Sequence, residues 1–387
     1  MSSTHESDFD DGRYCIAYRD VLAAAQRIQG TVHETPVWTS VSVDALVNRG
    51  TSQQQQRRVF FKVEALQKTG SFKFRGALNA VRSILEEEED DDNDDDENEQ
   101  TKTPRRKRDS LHVITHSSGN HAQALALAAK LSSTVACPVR ATIVMPENTP
   151  TIKRQAVQDF GADIVLVEST NEARQATTAR LQAETGATLI HPSEDPRVIA
   201  GQGTVCLELL QQLQRLQSSS NGGGVTPDAV IIPVGGGGLA AGNCITLRAV
   251  LGDEVQIILA EPETLNDAQR SFAAGQLLGH APEHLPLTSV ADGLKTTLGP
   301  HTWPVVRDLA TAVLTVSEAE VVAATRLVWE RLKVCIEPSA GVGVAVLLSD
   351  AFATQFPDCR NVAVILCGGN VDIPRIANLM TTMTKTD

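Results

Sequence analysis

Residues 229–242, Ala-Val-Ile-Ile-Pro-Val-Gly-Gly-Gly-Gly-Leu-Ala-Ala-Gly, join an apolar run to four consecutive glycines and an alanine-rich segment. The apolar run predicts a buried strand, the glycines a loop, and the last residues the start of a helix. Four glycines let the backbone curl until several N–H groups point at one anion, and the helix dipole adds to that attraction. The loop therefore predicts a phosphate site. No Gly-Lys-Ser/Thr follows, which excludes an ATPase P-loop, although Gly235-x-Gly237-x-x-Ala240 also fits the degenerate dinucleotide fingerprint.

The same alternation of short β-branched runs and longer helical segments extends along the chain. The predicted strands cover residues 59–63, 112–115, 141–145, 164–167, 229–233, 256–260 and 362–366, and the predicted helices include 121–131, 151–160, 172–184, 201–216 and 319–332. Strand and helix in alternation imply crossover connections and parallel sheets covered on both faces. The predicted fold class is α/β.

Length and composition exclude several classes of protein. The 387 residues are enough for two or three domains. The seven cysteines are scattered without a C-x-x-C pair, which argues against a disulfide framework and a tetrathiolate zinc site. No apolar run reaches the ~18 residues of a membrane span, and the acidic opening does not resemble a secretory signal. We therefore expect no membrane association and a cytoplasmic location.

The acidity of the chain is concentrated in one segment. Twelve of the 47 acidic residues lie between Glu86 and Glu99, and removing them takes the formal net charge from −13 to −1. Together with the basic cluster 105–108, this composition predicts a disordered polyampholyte insert over 86–111, since apolar residues for a core are missing. Residues 53–58 and 218–224 are also of low complexity. A nuclear signal or nucleic-acid patch is the alternative for the basic cluster, but no basic face or aromatic platform occurs elsewhere, so we expect no nucleic-acid partner.

A second stretch, Lys68-Thr-Gly-Ser-Phe-Lys-Phe-Arg-Gly-Ala77, follows a predicted strand and opens a helix. Lys73 lies between Phe72 and Phe74, and partial desolvation there would lower its pKa and favour the neutral amine that forms Schiff bases. A solvent-facing lysine near a helix start is the alternative interpretation.

Two further stretches end predicted strands. In Thr115-His-Ser-Ser-Gly-Asn-His121, the polar side chains are either helix caps or part of a carboxylate site at the open amides of the helix N-terminus. Leu366-Cys-Gly-Gly-Asn370 follows the last strand. Because the carboxyl ends of parallel strands face one crevice, all four stretches are expected to converge on a single site.

Together, S-F-K-F-R-G-A, S-S-G-N-H, the glycine loop and C-G-G-N-V-D resemble the fold-type II pyridoxal-phosphate enzymes, which include serine/threonine dehydratases and tryptophan-synthase β-like proteins. The segments 291–299 and 336–343 add to the likeness. The resemblance implies two open parallel-sheet domains with the active site between them: a large domain of residues 1–85 plus 195–387, and a small domain of residues 112–194.

The resemblance also implies roles for individual residues. Lys73 would carry the cofactor pyridoxal 5'-phosphate and act with Ser118 in catalysis. The other implied cofactor contacts are Phe72, Asn120, Gly235, Gly236, Gly237, Gly238, Leu239 and Cys367, and the implied substrate contacts are Ser117, Ser118, Asn120, His121, Arg174 and Thr296. Ser193 replaces an asparagine that lies beside the cofactor in related animal enzymes.

Two effector sites follow from the same resemblance. Glu261, Asp267 and the carbonyl of Leu265 align with a divalent-metal site, and oxygen ligands suit Mg²⁺, Ca²⁺ or Mn²⁺. A nucleotide site for ATP at a subunit interface would use Lys68, Thr69, Gln123, Lys153 and Asn370. A homodimer is the expected assembly.

The implied reaction is interconversion of L- and D-serine, with β-elimination of serine to pyruvate and ammonia. A threonine, serine or hydroxyaspartate dehydratase without significant racemisation remains the main alternative, because it would share the cofactor residues. A β-replacement synthase, a nicotinamide dehydrogenase built on Gly235 to Ala240, and a non-catalytic metabolite sensor also remain open.

Overall fold

The computed structural model describes residues 12–50, 52, 56–90, 109–216 and 224–382. Residues 53–55, 91–108 and 218–223, which belong to the three low-complexity stretches, lie outside them. No helix in the described parts of the chain is both long and apolar enough to cross a membrane.

The described strands form two sheets. The strands are β1 (Val37–Trp38), β2 (Arg58–Val63), β3 (Leu111–His116), β4 (Val139–Pro146), β5 (Asp163–Val167), β6 (Thr188–Leu189), β7 (Ala229–Pro233), β8 (Gln256–Pro262), β9 (Ala312–Val316) and β10 (Asn361–Leu366). The larger sheet has the order β1-β2-β10-β7-β8-β9, and the smaller has the order β5-β4-β3-β6. All neighbouring strands are parallel except β1 and β2.

Helices connect these strands. They are α1 (Tyr18–Ile28), α2 (Val41–Val47), α3 (Lys73–Asp90), α4 (Asn120–Ser132), α5 (Thr151–Asp159), α6 (Asn171–Thr185), α7 (Pro196–Arg215), α8 (Gly238–Leu251), α9 (Asp267–Ala274), α10 (Thr302–Leu309), α11 (Glu318–Arg331), α12 (Pro338–Leu348), α13 (Asp350–Gln355) and α14 (Ile373–Thr382). The α/β prediction is confirmed, and each predicted strand and helix is present. Helix α7 begins at Pro196, earlier than the predicted residue 201, because the Asp195 side chain caps it and proline is tolerated in a first turn.

The central strands of the larger sheet are buried on both faces. Every residue of β7 is buried, as are the last five residues of both β2 and β10. Strand β10 pairs in parallel with β2 on one side and with β7 on the other. Its register with β2 runs from Asn361 opposite Arg58 to Leu366 opposite Val63. This arrangement brings the carboxyl ends of β2, β10 and β7 to one edge, where the loops that follow them meet.

Helix α3 links the two sheets. It starts at Lys73 and packs against both α7 and α4, and its residues Phe74, Leu78 and Val81 belong to the core of the smaller sheet. The domain limits stay a prediction, but this core includes residues that precede 112, where the small domain was predicted to begin.

The acidic run starts inside α3, which continues through residues 86–90, and β3 begins at Leu111. Residues 86–90 and Leu111, which the prediction placed in the insert, therefore belong to a helix and a strand, and glutamate is a good helix former.

A buried charge network fixes the base of α3. The Arg75 guanidinium bonds Glu64 at 2.7 Å and Glu208 at 2.8 Å, and the Lys62 amine bonds Glu208 at 2.6 Å. Lys62 and Glu64 are fully buried and Arg75 is 1% exposed. The network joins the end of β2, the start of α3 and the middle of α7, so it holds Lys73 relative to the larger sheet.

Replacing Arg75 with leucine should lower the free energy of unfolding by about 3–5 kcal/mol, because Glu64 would lose the cation that is hydrogen-bonded to it. Denaturant unfolding monitored by circular dichroism measures the change. The control is Arg180→Leu, which removes an exposed i,i+4 pair with Glu184 and should cost less than about 0.5 kcal/mol. Equal losses in the two variants would contradict a structural role for the network.

Candidate active site

A cavity of about 870 Å³ lies where the loops after β2, β3, β7 and β10 meet. Its walls include residues from all four sequence stretches that were predicted to converge. These are Phe72 and Lys73, Ser117 to His121, Gly235 to Leu239, and Cys367 and Asn370. The structure therefore brings the predicted stretches together at one site.

Lys73 contributes one of the amines that line this cavity. Its Nζ donates to the carbonyl oxygen of Pro192 at 2.8 Å and lies 5.0 Å from the centre of the Phe72 ring. Burial lowers the pKa of Lys73 to about 8, although Cys367 and Glu337 act in the opposite direction. A lysine with this pKa is neutral for a useful fraction of the time near neutral pH, as a nucleophilic amine must be.

The glycine loop presents unpaired backbone donors. Among the described residues, no amide from Gly235 to Leu239 donates to a backbone acceptor. Gly237 has φ +81°, a left-handed conformation that favours glycine, and a Cβ on Gly236 would lie 2.5 Å from the Ser193 Oγ. Ser193 is 3% exposed, and its Oγ has no hydrogen-bond partner within the described chain. Open amides, a helix N-terminus and an unpaired buried hydroxyl fit an anionic group such as a phosphate.

The first turn of α4 faces the same cavity. Ser117, Ser118 and Asn120 line it and are half-buried, and the Ser117 Oγ accepts the Gly119 N–H at 3.3 Å. The His121 ring bonds the Ile190 carbonyl oxygen at 3.2 Å, and burial together with nearby Lys73 lowers the pKa of His121 to about 3. His121 is therefore neutral at physiological pH and contributes no cation for a carboxylate.

Glu337 is a site residue that sequence reasoning missed. The Asn120 Nδ2 donates to both of its carboxylate oxygens, at 3.0 and 3.1 Å, and the Asn120 Oδ1 accepts from the Asn370 Nδ2 at 2.9 Å. Burial raises the pKa of Glu337 to about 7. Glu337 lies directly before α12, in the segment 336–343 that contributes to the family resemblance. No spacing in the sequence, however, pairs it with Asn120.

Cys367 follows β10 directly and is 2% exposed. Burial and nearby Glu337 raise the pKa of its thiol well above the ordinary value, so it stays protonated at neutral pH. A neutral thiol can face an aromatic ring nitrogen without placing a charge beside it.

Two predicted substrate residues lie at the cavity wall. Arg174 lies on α6, where its guanidinium donates to Asn171 Oδ1 and to the Thr170 carbonyl oxygen. Thr296 is exposed, and its Cγ2 would lie 3.2 Å from a Cβ on Gly236. Thr296 thus adjoins the glycine loop, whereas the Arg174 guanidinium bonds oxygens of its own helix turn.

The predicted cation residues are close together around the start of α9. Both oxygens of Glu261 accept α9 amides, from Gln269 at 2.7 Å and Ala268 at 3.3 Å, and Asp267 accepts the Leu298 N–H at 3.1 Å. Burial raises the pKa of both carboxyls, that of Asp267 to about 6, and Asp267 also raises that of Glu261. The described residues hold no group of three His, Cys, Asp or Glu side chains at a metal-binding spacing, so a cation here would rely on two carboxylates and backbone oxygen such as the Leu265 carbonyl. Because burial disfavours the ionised forms of both carboxyls, a divalent cation between them would stabilise those forms.

The predicted nucleotide residues come from separate elements of the structure. Asn370 donates to the Thr69 carbonyl oxygen at 2.7 Å, and α4, which carries Gln123, packs against the turn Lys68–Gly70. Lys153 lies on α5, where its Nζ pairs with Asp292 at 3.3 Å. Lys153 and Asn370 line the main cavity.

Comparisons with known proteins identify similar chains and folds. The family model for "Pyridoxal-phosphate dependent enzyme" matches residues 28–368. A serine racemase of Homo sapiens is 42% identical over 361 residues, which are 93% of each chain. The crystal structure of serine racemase from Dictyostelium discoideum has a TM-score of 0.76 at 37% identity, covering 92% of this chain and 99% of that one. The crystal structure of a T.th. threonine deaminase has a TM-score of 0.75 at 36% identity, with the same two coverages.

The lowered pKa of Lys73 predicts how its reaction with an aldehyde depends on pH. The initial rate of adduct formation with pyridoxal phosphate should rise to half its maximum near pH 8, because the neutral amine is the reacting form. Absorbance stopped-flow over a pH series measures this rate. A half-maximum near the ordinary lysine value of 10.5 would contradict the desolvated environment.

Glu337 predicts a pH dependence of stability. Its pKa is about 7 in the folded protein against an ordinary value of 4.5, so between these values the folded state holds a proton that the unfolded chain has lost. The free energy of unfolding therefore falls as the pH rises from 4.5 to about 7, by at most about 3 kcal/mol. Glu337→Gln should flatten that part of the curve. Denaturant unfolding across the pH range measures it, with exposed Glu184→Gln as the control, and an unchanged slope in Glu337→Gln would refute the burial argument.

Proposed function

Because the chain belongs to the pyridoxal-phosphate dependent enzyme family, we propose that it interconverts L- and D-serine. We also propose that it eliminates water from serine to give aminoacrylate, which takes up water and releases pyruvate and ammonia. The observation that carries the proposal is the Lys73 amine, desolvated and opposite a glycine loop with open amides. The curated relatives named serine racemase support the racemase half. The neighbour named threonine deaminase supports the elimination half.

The residues present fit the cofactor of the family. Lys73 would carry pyridoxal phosphate covalently beside Phe72, the amides of Gly235 to Leu239 would hold its phosphate, and Cys367 would face its ring nitrogen. When bound, the cofactor supplies an electron sink that weakens the Cα–H bond of an amino acid. Asn120 would orient the ring hydroxyl, and its bonds to Glu337 and Asn370 fix the direction of its amide.

Racemisation requires proton-bearing groups on both faces of the substrate Cα. Lys73 Nζ, with a pKa of about 8, can hold or release a proton at neutral pH. Ser118 lines the same cavity just before α4, and its hydroxyl would serve the opposite face. Elimination requires only one of these groups, and this difference separates the two reactions experimentally.

The substrate carboxylate is proposed to bind at the first turn of α4. Ser117, Ser118 and Asn120 surround open amides at the positive end of that helix, and His121 contributes its backbone because its ring is neutral. Arg174 would leave its bonds to Thr170 and Asn171 and turn toward the carboxylate when substrate binds. Thr296 would contact the substrate from the side of the glycine loop.

Effectors and assembly are part of the proposal. A divalent cation such as Mg²⁺, Ca²⁺ or Mn²⁺ would bind Glu261, Asp267 and the Leu265 carbonyl, because the two carboxyls are destabilised as anions without it. ATP would bind near Lys68, Thr69, Gln123, Lys153 and Asn370. We also propose a homodimer in the cytoplasm.

A dehydratase without significant racemisation is the second candidate, since it would use Lys73 and the same glycine loop. Incubation with L-serine, L-threonine and L-threo-3-hydroxyaspartate, with enantiomers and keto acids measured side by side, separates the two. Formation of D-serine from L-serine supports the racemase, and keto acids alone support the dehydratase.

Lys73→Ala should abolish both racemisation and elimination, because the amine that binds the cofactor and moves the Cα proton is missing. Chiral chromatography and a pyruvate assay measure the two products. Lys130→Ala, which changes an exposed lysine of α4, is the control and should retain both activities. Racemisation by Lys73→Ala at the wild-type rate would contradict the assignment.

Ser118→Ala should slow racemisation by about 10²–10⁴-fold while elimination from one enantiomer continues, because only one face of Cα loses its proton-bearing group. Both serine enantiomers are supplied separately, and D-serine, L-serine and pyruvate are quantified. An undiminished yield of D-serine from L-serine would refute the role of Ser118.

A further inference from the structure

One tripeptide, Pro192-Ser193-Glu194, contacts both the lysine and the glycine loop. The Pro192 carbonyl oxygen accepts the Lys73 amine, and Ser193 lies directly against Gly236. A Cβ on Gly238 would lie 3.0 Å from both the Cα and the carbonyl oxygen of Ser193. The segment between β6 and α7 therefore forms the wall against which the loop packs.

The third residue, Glu194, bonds the segment on the far side of the loop. Its Oε1 accepts the Thr302 hydroxyl at 2.7 Å, and its Oε2 accepts the His301 N–H at 2.7 Å. The His301 Nδ1 also lies 2.7 Å from the Glu194 carbonyl oxygen. A Cβ on Gly299 would lie 2.3 Å from the carboxylate carbon, so this approach requires glycine at 299. Glu194 thus fixes residues 299–302 by several independent contacts.

Thr302 transmits this position to the glycine loop. It is fully buried, and its Cβ and Oγ1 would each lie 2.7 Å from a Cβ on Gly237, the loop residue in the left-handed conformation. Its Oγ1 lies 3.2 Å from the Gly236 carbonyl oxygen and accepts the Gly299 N–H at 3.1 Å. Thr302 therefore packs behind the peptide that joins Gly236 to Gly237.

The hydroxyl of Thr302 has a single proton to donate. Three oxygens lie within reach of it: the Glu194 Oε1 at 2.7 Å, the Gly236 carbonyl at 3.2 Å and the Gly299 carbonyl at 3.4 Å. The Glu194 carboxylate is closer and charged, and charge-assisted hydrogen bonds are the stronger ones. Without the Glu194 carboxylate, the hydroxyl would donate to the Gly236 carbonyl, the nearer of the two remaining acceptors. That carbonyl shares a peptide plane with the Gly237 N–H, one of the open amides of the loop. A hydrogen bond to the oxygen would therefore rotate the peptide and change the direction of the N–H.

We propose that Glu194 is a positioning residue that acts through Thr302 to hold the glycine loop in the shape that binds the cofactor's phosphate. The inference rests on the proposed function, because it takes the loop's ligand to be the phosphate of pyridoxal phosphate. Neither Glu194 nor Thr302 would touch the reacting atoms.

The test compares the affinity of apoprotein variants for two probes, pyridoxal phosphate and pyridoxal, which lacks the phosphate. Glu194→Gln and Thr302→Val should each raise the Kd for pyridoxal phosphate about tenfold, the loss expected for one hydrogen bond to a charged group. Their Kd for pyridoxal should stay within about twofold of the wild type, because the ring contacts are unchanged. Absorbance titration measures both constants.

Thr302→Ser is the matched control. It keeps the hydroxyl that bonds Glu194 and removes only the methyl group, so it should bind pyridoxal phosphate with nearly wild-type affinity. Thermal melting of each apoprotein checks that it is folded. Should Glu194→Gln fail to fold, Thr302→Val and Thr302→Ser decide the question between them.

Two results would overturn the positioning role while leaving the proposed function intact. One is a wild-type Kd for pyridoxal phosphate in folded Glu194→Gln and Thr302→Val. The other is an equal loss of affinity for both probes, since the pair would then act on the ring and not on the phosphate loop. A wild-type protein that forms no lysine adduct at all would instead refute the proposed function, and the positioning role with it.

Discussion

The desolvation of one amine is the constraint on which the site depends. Lys73 lies at the start of α3, where its ammonium form would lose much of its hydration. Within the described chain, a hydrogen bond to the Pro192 carbonyl oxygen offsets part of this loss. An amine held in this way is easily deprotonated, and the same desolvation keeps the neighbouring His121 and Cys367 neutral. Burial thus favours the neutral forms of the Lys73 amine, the His121 imidazole and the Cys367 thiol together.

The fold positions this amine through the strand that precedes it and the helix that it begins. Lys73 follows β2, and its helix is held at the base by the buried network of Lys62, Glu64, Arg75 and Glu208. The glycine loop follows β7, two positions away in the same sheet. Since neighbouring parallel strands end at the same edge, amine and anion site face each other without any long loop having to be ordered. The smaller sheet then contributes the first turn of α4 to close the cavity.

Much of this arrangement was predictable from the sequence. The strands β7 and β10 and the helix α4 have apolar runs or alanine-rich patterns long enough to define them, and the glycine loop and Lys73 follow such elements directly. The strands β1, β6 and β9 were not predicted. For β1 and β6 the reason is that two residues carry no periodicity. Residues 86–90 were predicted as part of a disordered insert, but they continue α3, where local helix propensity extends a helix that tertiary packing has already formed.

The polar partners of the site could not be read from the chain. Glu337 and Asn120 are separated by 217 positions, and Glu194 and Thr302 by 108. Such pairs are created by tertiary packing between distant segments, which leaves no signal in local spacing. The predicted cation and nucleotide residues illustrate the same limit: the resemblance supplied them, and their local patterns did not.

The most direct test of the account is to identify the residue that carries the cofactor. The protein is incubated with pyridoxal phosphate, reduced with borohydride, digested and mapped by mass spectrometry. The account predicts a phosphopyridoxyl group on Lys73 in stoichiometric amount and on no other lysine to a comparable extent. A modified residue elsewhere, or no stable modification, would contradict it.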